Sequence, residues 1–332
     1  MERCFELDIL RVVALFLLFI FHANLNTAYP NQLWTIGTYL LGAFFFVAGI
    51  LFLPSLKRHS TKKFLKNKFL HIYIPFLLML VLYAVLFGGQ TQAYIYHAIG
   101  LSIFHVLQSG TLNLFHMWYV VHLLVYFLLF LAIYKLIKSD VRRLFAVIFI
   151  FLLLVLLWTI NSPLRLEWKF AAYLLVFYAG TIAGNNLDRI YDLLKKQTIG
   201  LIVFTLLLGY LVLIIPETPT TYTNTILFLV MRSAFAIAAC LLSLRIFLHM
   251  NKIRKAAAFI SYGSLFAYLL QPAVSQMVSC VIAKNNCFVL GAWYALDIPG
   301  MLVMIPVSFL ITVLLAHGIQ ACYRTFLKRI KM

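Results

Sequence analysis

Long apolar runs, each about the length of a membrane span, recur from one end of the chain to the other. A transmembrane helix needs roughly 20 predominantly apolar residues, and the apolar runs here are continuous rather than alternating. The predicted spans cover residues 7–26, 33–55, 69–87, 115–136, 144–160, 168–185, 198–215, 225–247, 257–281 and 296–319. The pattern predicts an all-α polytopic membrane protein, a bundle of about ten transmembrane helices.

Composition agrees with the hydropathy pattern. Of the 332 residues, 64% are hydrophobic and 11% are charged, which is the balance of a membrane protein. The first apolar stretch lacks a basic n-region and a small-residue cleavage site, so we keep it in the mature fold. Residues 1–332 are predicted to form a single transmembrane domain with no appended soluble domain. Residues 88–114 contain no Lys or Arg and are predicted to form an interfacial or re-entrant segment.

The formal net charge of +18 is distributed in a way that sets orientation in a membrane. Most of the 27 Lys and Arg residues fall in alternate loops and in the C-terminal tail. Because cytoplasmic loops are enriched in basic residues, we predict a multi-pass protein of the cytoplasmic membrane with both termini inside. The five tryptophans fall at the opposite ends of the spans, as in an aromatic belt. The sequence has no separate basic domain, so nucleic acid is not predicted as a partner.

The five cysteines contain no Cys-x-x-Cys pair, and no metal site is predicted. Cys280 and Cys287 flank a loop that is predicted to lie on the exported side. A disulfide between them is one interpretation, because disulfides persist outside the cytoplasm. Two free thiols are the other interpretation, and the sequence leaves both open.

The first span carries two polar side chains where a plain membrane anchor would carry none. Arg11 lies near its beginning and His22 lies eleven residues later. Eleven residues of α-helix turn about 20° past three full turns and rise roughly 16 Å, so both residues share one helix face. Ionisable residues inside a membrane usually face a partner or a water-filled cavity. Structural interpretations remain, because an arginine at a helix end snorkels to the headgroups and a histidine can bond a neighbouring helix.

Further polar residues accumulate near the predicted outer ends of later spans. His116 opens span four beside Trp118, Arg232 lies inside span eight, and Glu167 precedes span six. Arg232 has no acidic residue near it in sequence, which sets it apart from a locally paired arginine. The basic loop 62–68 lies at the inner side and is also explained by orientation alone. His97, His105 and His122 are left structural or unassigned.

A polar passage of this kind suits a reaction whose two substrates lie on opposite sides of the membrane. Arg and Lys side chains bind phosphate oxygens, so cations at the inner mouth would suit a phosphate-bearing donor. A histidine further along the passage would suit general-base activation of a hydroxyl.

Four segments resemble the membrane-bound acyltransferase-3 family. The first is Leu7-Asp8-Ile9-Leu10-Arg11 followed by His22, and it resembles the family's Leu-Asp-x-Leu-Arg with a histidine after ten intervening residues. The others are Phe45-Phe46-Val47-Ala48-Gly49, then His116-Met117-Trp118-Tyr119, and last Ile260 to Ser264 with Tyr268 to Pro272. Together they extend over nearly the whole chain. The chain departs from the family pattern at Ala48, at Lys68 and His71 in place of Arg-x-x-Arg, and at Gln271 in place of a histidine.

The resemblance implies transfer of an acyl group, with acetyl as the expected group, from cytoplasmic acyl-CoA to a hydroxyl of a cell-surface polysaccharide or its lipid-linked precursor. It implies that His22 is the catalytic base or acyl-relay residue, with His116 also in the catalytic site. It implies donor binding by Arg11, Lys68 and His71. Trp118, Arg232 and Glu167 are expected to support the acceptor side. The implied donor substrate is acetyl-CoA, with no permanently bound cofactor.

Two other functions remain alternatives at this point. The main one is a polysaccharide exporter or flippase that performs no covalent chemistry. The other is a signalling or assembly scaffold, which would leave the polar face of the first span unexplained. The expected partners are the glycan acceptor and membrane lipids, and a homo-oligomer is left open.

Overall fold

The fold was analysed in a computed structural model that describes residues 4–22, 30–87, 118–160, 168–214, 222–283 and 298–329. Within these ranges the regular structure is helical and contains no strand, so the all-α prediction is confirmed. The α-helices are α1 (Phe5–Phe21), α2 (Pro30–Arg58), α3 (Thr61–Lys68), α4 (Ile74–Phe87), α5 (Trp118–Leu136), α6 (Asp140–Thr159), α7 (Trp168–Asn185), α8 (Leu187–Lys196), α9 (Thr198–Ile214), α10 (Tyr222–Phe247), α11 (Arg254–Tyr262), α12 (Ser264–Ala283) and α13 (Ile298–Arg329). A π-helical turn occupies Phe69–Tyr73 and a 3-10 turn occupies Asn251–Ile253.

Seven helical stretches of the described residues are long and apolar enough to cross a membrane. An eighth is α7 together with α8, which bend by 98° at the break between them. The helix α9 is apolar but has only 17 residues. The helix α1 also has 17 residues and carries three charged side chains in its first half. A polytopic membrane protein is thus confirmed, and a helix lies within each of the ten predicted spans.

Several span boundaries differ from the prediction. The third span was predicted from residue 69, but its helical stretch begins at Thr61, where the Ser60 hydroxyl accepts a bond from the Lys63 amide. The cap starts the helix inside the basic loop, because backbone bonding and not hydropathy decides where a helix begins. The ninth span is broken at Gly263, which separates α11 from α12. A side chain at Gly263 would meet the backbone of Ala316, so close helix contact explains this glycine.

The chain divides into two compact units. Unit 1 contains α1, the part of α2 up to Leu40, α4 from Pro75, and α11 to α13. Unit 2 contains α2 from Leu41, α3, the π-helical turn, and α5 to α10 as far as Arg245. That residues 1–332 form one domain stays a prediction.

Unit 1 is built on α12 and α13, with α1 packed against α11, α12 and α13. Apolar residues of α1 supply most of its contact surface, and Leu10, Ala14 and Leu15 are completely buried. Phe16 and Phe19 both meet Phe309 of α13 edge to face, with ring centroids 5.2 and 5.5 Å apart. The position of α1 is therefore fixed on several sides, which also fixes the polar residues that it carries.

Unit 2 has an aromatic core and a glycine-lined helix crossing. A methyl group added at Gly49 of α2 would overlap the carbonyl oxygen of Phe177 in α7, and one at Gly180 would overlap that of Phe46. Gly184 meets Ile50 in the same way. Small residues let membrane helices approach closely. The glycine at the end of Phe45-Phe46-Val47-Ala48-Gly49 is thus a packing residue of the α2–α7 pair.

Candidate functional site

The strongest polar cluster of unit 1 joins the beginning of α1 to the end of α11. The Ser261 hydroxyl donates a hydrogen bond to Oδ1 of Asp8 at 2.5 Å. The same carboxylate oxygen lies 3.6 Å from a terminal nitrogen of Arg11, one turn further along α1. Asp8 and Ser261 are 5% and 6% exposed, whereas the Arg11 side chain is 25% exposed. The cluster therefore holds a partly accessible guanidinium on a buried carboxylate.

The local sequence accounts for this geometry. Residues three apart face the same side of a helix, which lets Asp8 reach Arg11. A buried carboxylate is costly unless it is paired and hydrogen-bonded, and Asp8 has both kinds of partner. Because α1 packs closely on α11, Ser261 is brought to the carboxylate across the helix interface. Two of the segments that carry the family resemblance are thus in direct contact in the structure.

His22 lies at the other end of α1. The prediction carried this span to residue 26, but the regular helix ends at Phe21 and His22 is its C-cap. The backbone amide of His22 still bonds the Leu18 carbonyl at 3.0 Å, so it continues the last helical turn. Its ring is half-buried and lies edge-on to Phe21, with centroids 5.2 Å apart. Arg11 and His22 are therefore carried by one continuous helix, about 16 Å apart along its axis.

A second polar feature of unit 1 lies in α12, where the chain reads Tyr268-Leu-Leu-Gln-Pro272. In a regular helix the Ala273 amide would bond the Leu269 carbonyl. The hydroxyl of Tyr83 accepts from the Ala273 amide at 3.2 Å and donates to the Leu269 carbonyl at 2.9 Å. Pro272, which lies between these two residues, has no N–H to donate to the helix. The Tyr83 hydroxyl therefore bonds backbone groups on both sides of the proline.

Gln271, which stands where the family has a histidine, is completely buried in α12. Its side-chain nitrogen donates to the Ser275 hydroxyl at 3.1 Å. Ser275 and Ser279, one and two turns further, are also buried, and Ser279 bonds the Gln276 carbonyl. The polar side chains at this four-residue spacing form a stripe along one face of an otherwise apolar membrane helix.

The predicted donor residues Lys68 and His71 lie in unit 2, at the start of the π-helical turn. Lys68 is half-buried, and its ammonium stands 4.2 Å from the ring centroid of Phe127 and 5.2 Å from that of Phe64. His71 is exposed. The turn closes with the amide of Ile74 bonding the Phe69 carbonyl, directly before Pro75, a residue that cannot donate a backbone bond. Single π-turns are frequent at functional sites.

Trp118 and Arg232, the two predicted acceptor-side residues that the structure describes, belong to one aromatic–cation cluster of unit 2. Arg232 is 4% exposed, and its guanidinium lies 4.4 Å from the ring centroid of Phe228 and 5.3 Å from that of Trp168. The ammonium of Lys169 stands 5.2 Å from the Trp118 centroid and 5.6 Å from that of Trp168. Cations over aromatic faces are attracted to the ring quadrupole. Arg232 and Trp118 are linked through Trp168 and Lys169.

Several residues of these clusters were not predicted to be functional. Ser261 is separated from Asp8 by 253 positions, and Trp168 and Lys169 were interpreted only as belt and loop residues. Two features of the sequence could have identified them. Asp8 lies one helical turn before Arg11, and Lys169 stands between two aromatic residues in sequence. His116, Glu167 and Cys287 lie outside the described residues, and the predictions made for them stay predictions.

Comparison with known proteins places the chain in a family over almost its whole length. The family described as "Acyltransferase domain" matches residues 5–317. The match includes α1 to α12 and the part of α13 up to His317, with every polar cluster described above. No curated protein and no solved structure matches the chain.

Proposed function

The chain belongs to the acyltransferase-3 family, and from this premise we propose that it transfers an acyl group, acetyl in the first instance, from cytoplasmic acyl-CoA to a hydroxyl of a surface polysaccharide or its lipid-linked precursor. The family supports acyl transfer by a multi-pass membrane protein. We propose four further points beyond the family: the identity of the donor, the identity of the acceptor, location in the cytoplasmic membrane, and an orientation with both termini inside.

One observation carries the proposal: α1 holds an anchored, partly exposed arginine near one end and a half-buried histidine at the other. The donor would present pyrophosphate and phosphate groups, and a guanidinium binds such oxygens through several N–H donors at once. The thioester lies at the far end of a long flexible arm of coenzyme A. Arg11 and His22, about 16 Å apart along the helix, suit the two ends of such a molecule.

The chemistry assigned to His22 is general-base catalysis. The neutral imidazole accepts the proton of the acceptor hydroxyl while the oxygen attacks the thioester carbonyl carbon. A C–O bond forms, the C–S bond breaks, and the proton passes from the imidazolium to the departing thiolate. The products are an O-acyl ester and free coenzyme A. A covalent acyl-histidine relay is the variant mechanism, and it would give acylated His22 in the absence of acceptor.

The remaining predicted residues take supporting roles in the proposal. Lys68 and His71 are assigned to donor binding by the resemblance. Trp118 and Arg232 are assigned to the acceptor side, supported by the aromatic–cation cluster that contains both. His116 and Glu167 are assigned by the resemblance alone.

The deciding experiment measures O-acyl content of the surface glycan by NMR in a deletion strain complemented with wild type, His22→Ala or His249→Ala. His249 is an exposed histidine after the end of α10 and serves as the matched control. We expect wild type and His249→Ala to restore the ester and His22→Ala to lose it at equal membrane abundance. Unchanged acylation in His22→Ala would refute the catalytic assignment. A glycan that is never acylated but fails to reach the surface in the deletion strain would favour the exporter.

A further inference from the structure

A cavity of about 570 Å³ opens in unit 2, and its lining includes none of the residues of the clusters described above. It lies where α2, α5 and α7 approach their C-terminal ends and α6 begins. Its basic and amide lining comes from Lys57, Lys135, Arg143, Asn185 and Asn186. All of the lining residues belong to unit 2, so the cavity is formed within one compact body.

The ends of apolar helices meet at the polar end of this cavity, which we infer to lie at the level of a membrane surface. The helices α2 and α5, both long and apolar enough to cross a membrane, end at Arg58 and Leu136, and α6, which is equally so, starts at Asp140. The helix α7 ends beside them at Asn185. After Asn185 the chain turns by 98° into α8. The helix α8 buries Leu187 and Leu194 and exposes charged side chains on its other face, as a helix lying in the interface does. Phospholipid headgroups occupy this same level.

The basic groups of the cavity are held in place by neighbouring side chains. The Lys57 ammonium donates to Oδ1 of Asn185 at 2.7 Å, which links α2 to α7 without neutralising the charge. Arg143 donates from Nε to the Ile137 carbonyl at 2.7 Å and from a terminal nitrogen to Asp140 at 2.6 Å. Lys135 adds a third cation beside a single carboxylate, so the lining is positively charged.

Tyr134, Tyr178 and Thr181 also line the cavity, and Tyr134 contacts one of its cations. The guanidinium of Arg143 lies 4.3 Å from the Tyr134 ring centroid. The Thr181 hydroxyl donates to the Tyr178 carbonyl at 2.8 Å, so the Tyr134 hydroxyl, 3.1 Å away, is the donor to Thr181. Of the five N–H groups that an arginine carries, the described contacts of Arg143 use two. Arg143 also lines the cavity, so its guanidinium is placed to meet an acceptor there.

Part of the cavity lining is apolar, and two of its apolar residues are exposed on the outer surface of their helices. Leu53 lies one turn inside Lys57 on α2, and Leu144 and Ile182 lie correspondingly inside α6 and α7. Leu53 is buried, whereas Leu144 is 43% exposed on α6, a helix long and apolar enough to span a membrane. Ile182 is 45% exposed on α7, which meets that criterion together with α8. Such surfaces contact lipid chains in a bilayer. The cavity therefore combines a cationic end at headgroup level with an apolar flank at acyl-chain level.

We propose that this cavity binds an anionic phospholipid of the surrounding bilayer. Its phosphate accepts hydrogen bonds from Lys57, Lys135 and Arg143, and its acyl chains lie along the apolar flank. Basic pockets between transmembrane helices on the cytoplasmic side recognise lipid phosphates in this way. A soluble phosphate ester would use the cationic end but would leave the apolar flank without a ligand, and a zwitterionic lipid would bring a second cation to a positively charged lining.

The test measures binding of fluorescent phosphatidylglycerol to the purified full-length protein in uncharged detergent, with phosphatidylcholine of identical chains as the comparison. We expect phosphatidylglycerol to bind at least about tenfold more tightly, since each basic residue near an anionic headgroup contributes roughly fivefold. Lys57→Gln with Lys135→Gln is expected to remove the preference. The matched control is Lys195→Gln with Lys196→Gln, which makes the same charge change on α8, outside the cavity lining.

A further variant and two competition measurements distinguish lipid binding from binding of a soluble phosphate compound. Ile182→Trp fills the apolar flank without changing charge, and it is expected to weaken binding of phosphatidylglycerol even if the double lysine variant does not fold. Inorganic phosphate and coenzyme A, each at millimolar concentration, should leave the bound lipid in place. Equal binding of the two lipids, retained preference in the double lysine variant, unchanged affinity in Ile182→Trp, or displacement by phosphate or coenzyme A would each overturn the proposal.

Discussion

Replacement of Ser261 by alanine tests whether the contact between α1 and α11 positions Arg11, the arginine that we propose binds the donor. Ser261 is the donor of a 2.5 Å hydrogen bond to Asp8, and Asp8 in turn faces Arg11. The substitution leaves both charged side chains in place. Its effect on the reaction must therefore pass through the orientation of the carboxylate and its guanidinium.

The expected magnitude follows from burial. A hydrogen bond to a charged group contributes about 1.5–3 kcal/mol, and Asp8 and Ser261 are both more than nine-tenths buried, so water replaces little of it. The ion pair of Asp8 with Arg11 is longer, at 3.6 Å, and a quarter of the arginine side chain is exposed. It contributes about 1 kcal/mol or less. If Ser261→Ala loses about 1.5 kcal/mol, the lower end of the hydrogen-bond range, KM for the donor is expected to rise roughly tenfold. A smaller change is expected in kcat.

The assay is a double-mutant cycle on purified protein, with Ser261→Ala, Arg11→Lys and the combined variant. Acyl-CoA is the donor, and thiol release gives kcat and KM. Residues within one hydrogen-bonded network are expected to couple by about 0.5–3 kcal/mol. Ser279→Ala is the control, since Ser279 is equally buried in unit 1 but bonds only within its own helix. An unchanged KM in Ser261→Ala, or additive effects with Arg11→Lys, would refute a positioning role.

Two further predictions concern the packing of each unit. Gly180→Ala is expected to lower the thermal unfolding temperature, because overpacking typically costs about 1–3 kcal/mol and the new methyl group would overlap the Phe46 carbonyl. Gly200→Ala, where the nearest atom to the new methyl group is 3.9 Å away, should leave that temperature unchanged, and equal shifts in both would contradict the prediction. Tyr83→Phe removes the hydroxyl that bonds Ala273 and Leu269, and a hydrogen bond contributes about 0.5–1.5 kcal/mol, so we expect a lower thermal unfolding temperature. A thermal shift measurement against the exposed Tyr210→Phe checks this, and equal stability of the two variants would contradict the prediction.

The fold was predictable because membrane helices are specified by local composition. Apolar runs, alternating basic loops and the proline-containing spans are all visible in the sequence. Helix boundaries were less predictable, as the third span shows. Its helix continues through the basic segment after Ser60, since lysines form helices well and a serine cap satisfies the first backbone amides.

The candidate site was predictable only in part. Arg11 and His22 belong to one helix, so the helical repeat relates them directly. Ser261 meets Asp8 across 253 positions of sequence, and nothing in either neighbourhood specifies that pairing. Tyr83 is equally remote from Pro272, and its hydroxyl has no local signal. Such contacts depend on how helices pack, which is decided by shape across many apolar residues.

The two charged residues of the motif Leu7-Asp8-Ile9-Leu10-Arg11 have different structural roles. A carboxylate alone in a membrane helix would be costly, and so would an arginine alone. With Asp8 buried and bonded to Ser261, the negative charge is satisfied by a neighbouring helix and holds α1 in a fixed rotation. That rotation directs the partly exposed Arg11 away from the core while keeping its counter-charge one turn away. His22, on the same face three turns later, inherits the same orientation. In the proposed reaction path Asp8 would therefore help to position both ends, because it joins α1 to α11 and pairs with Arg11 one turn away.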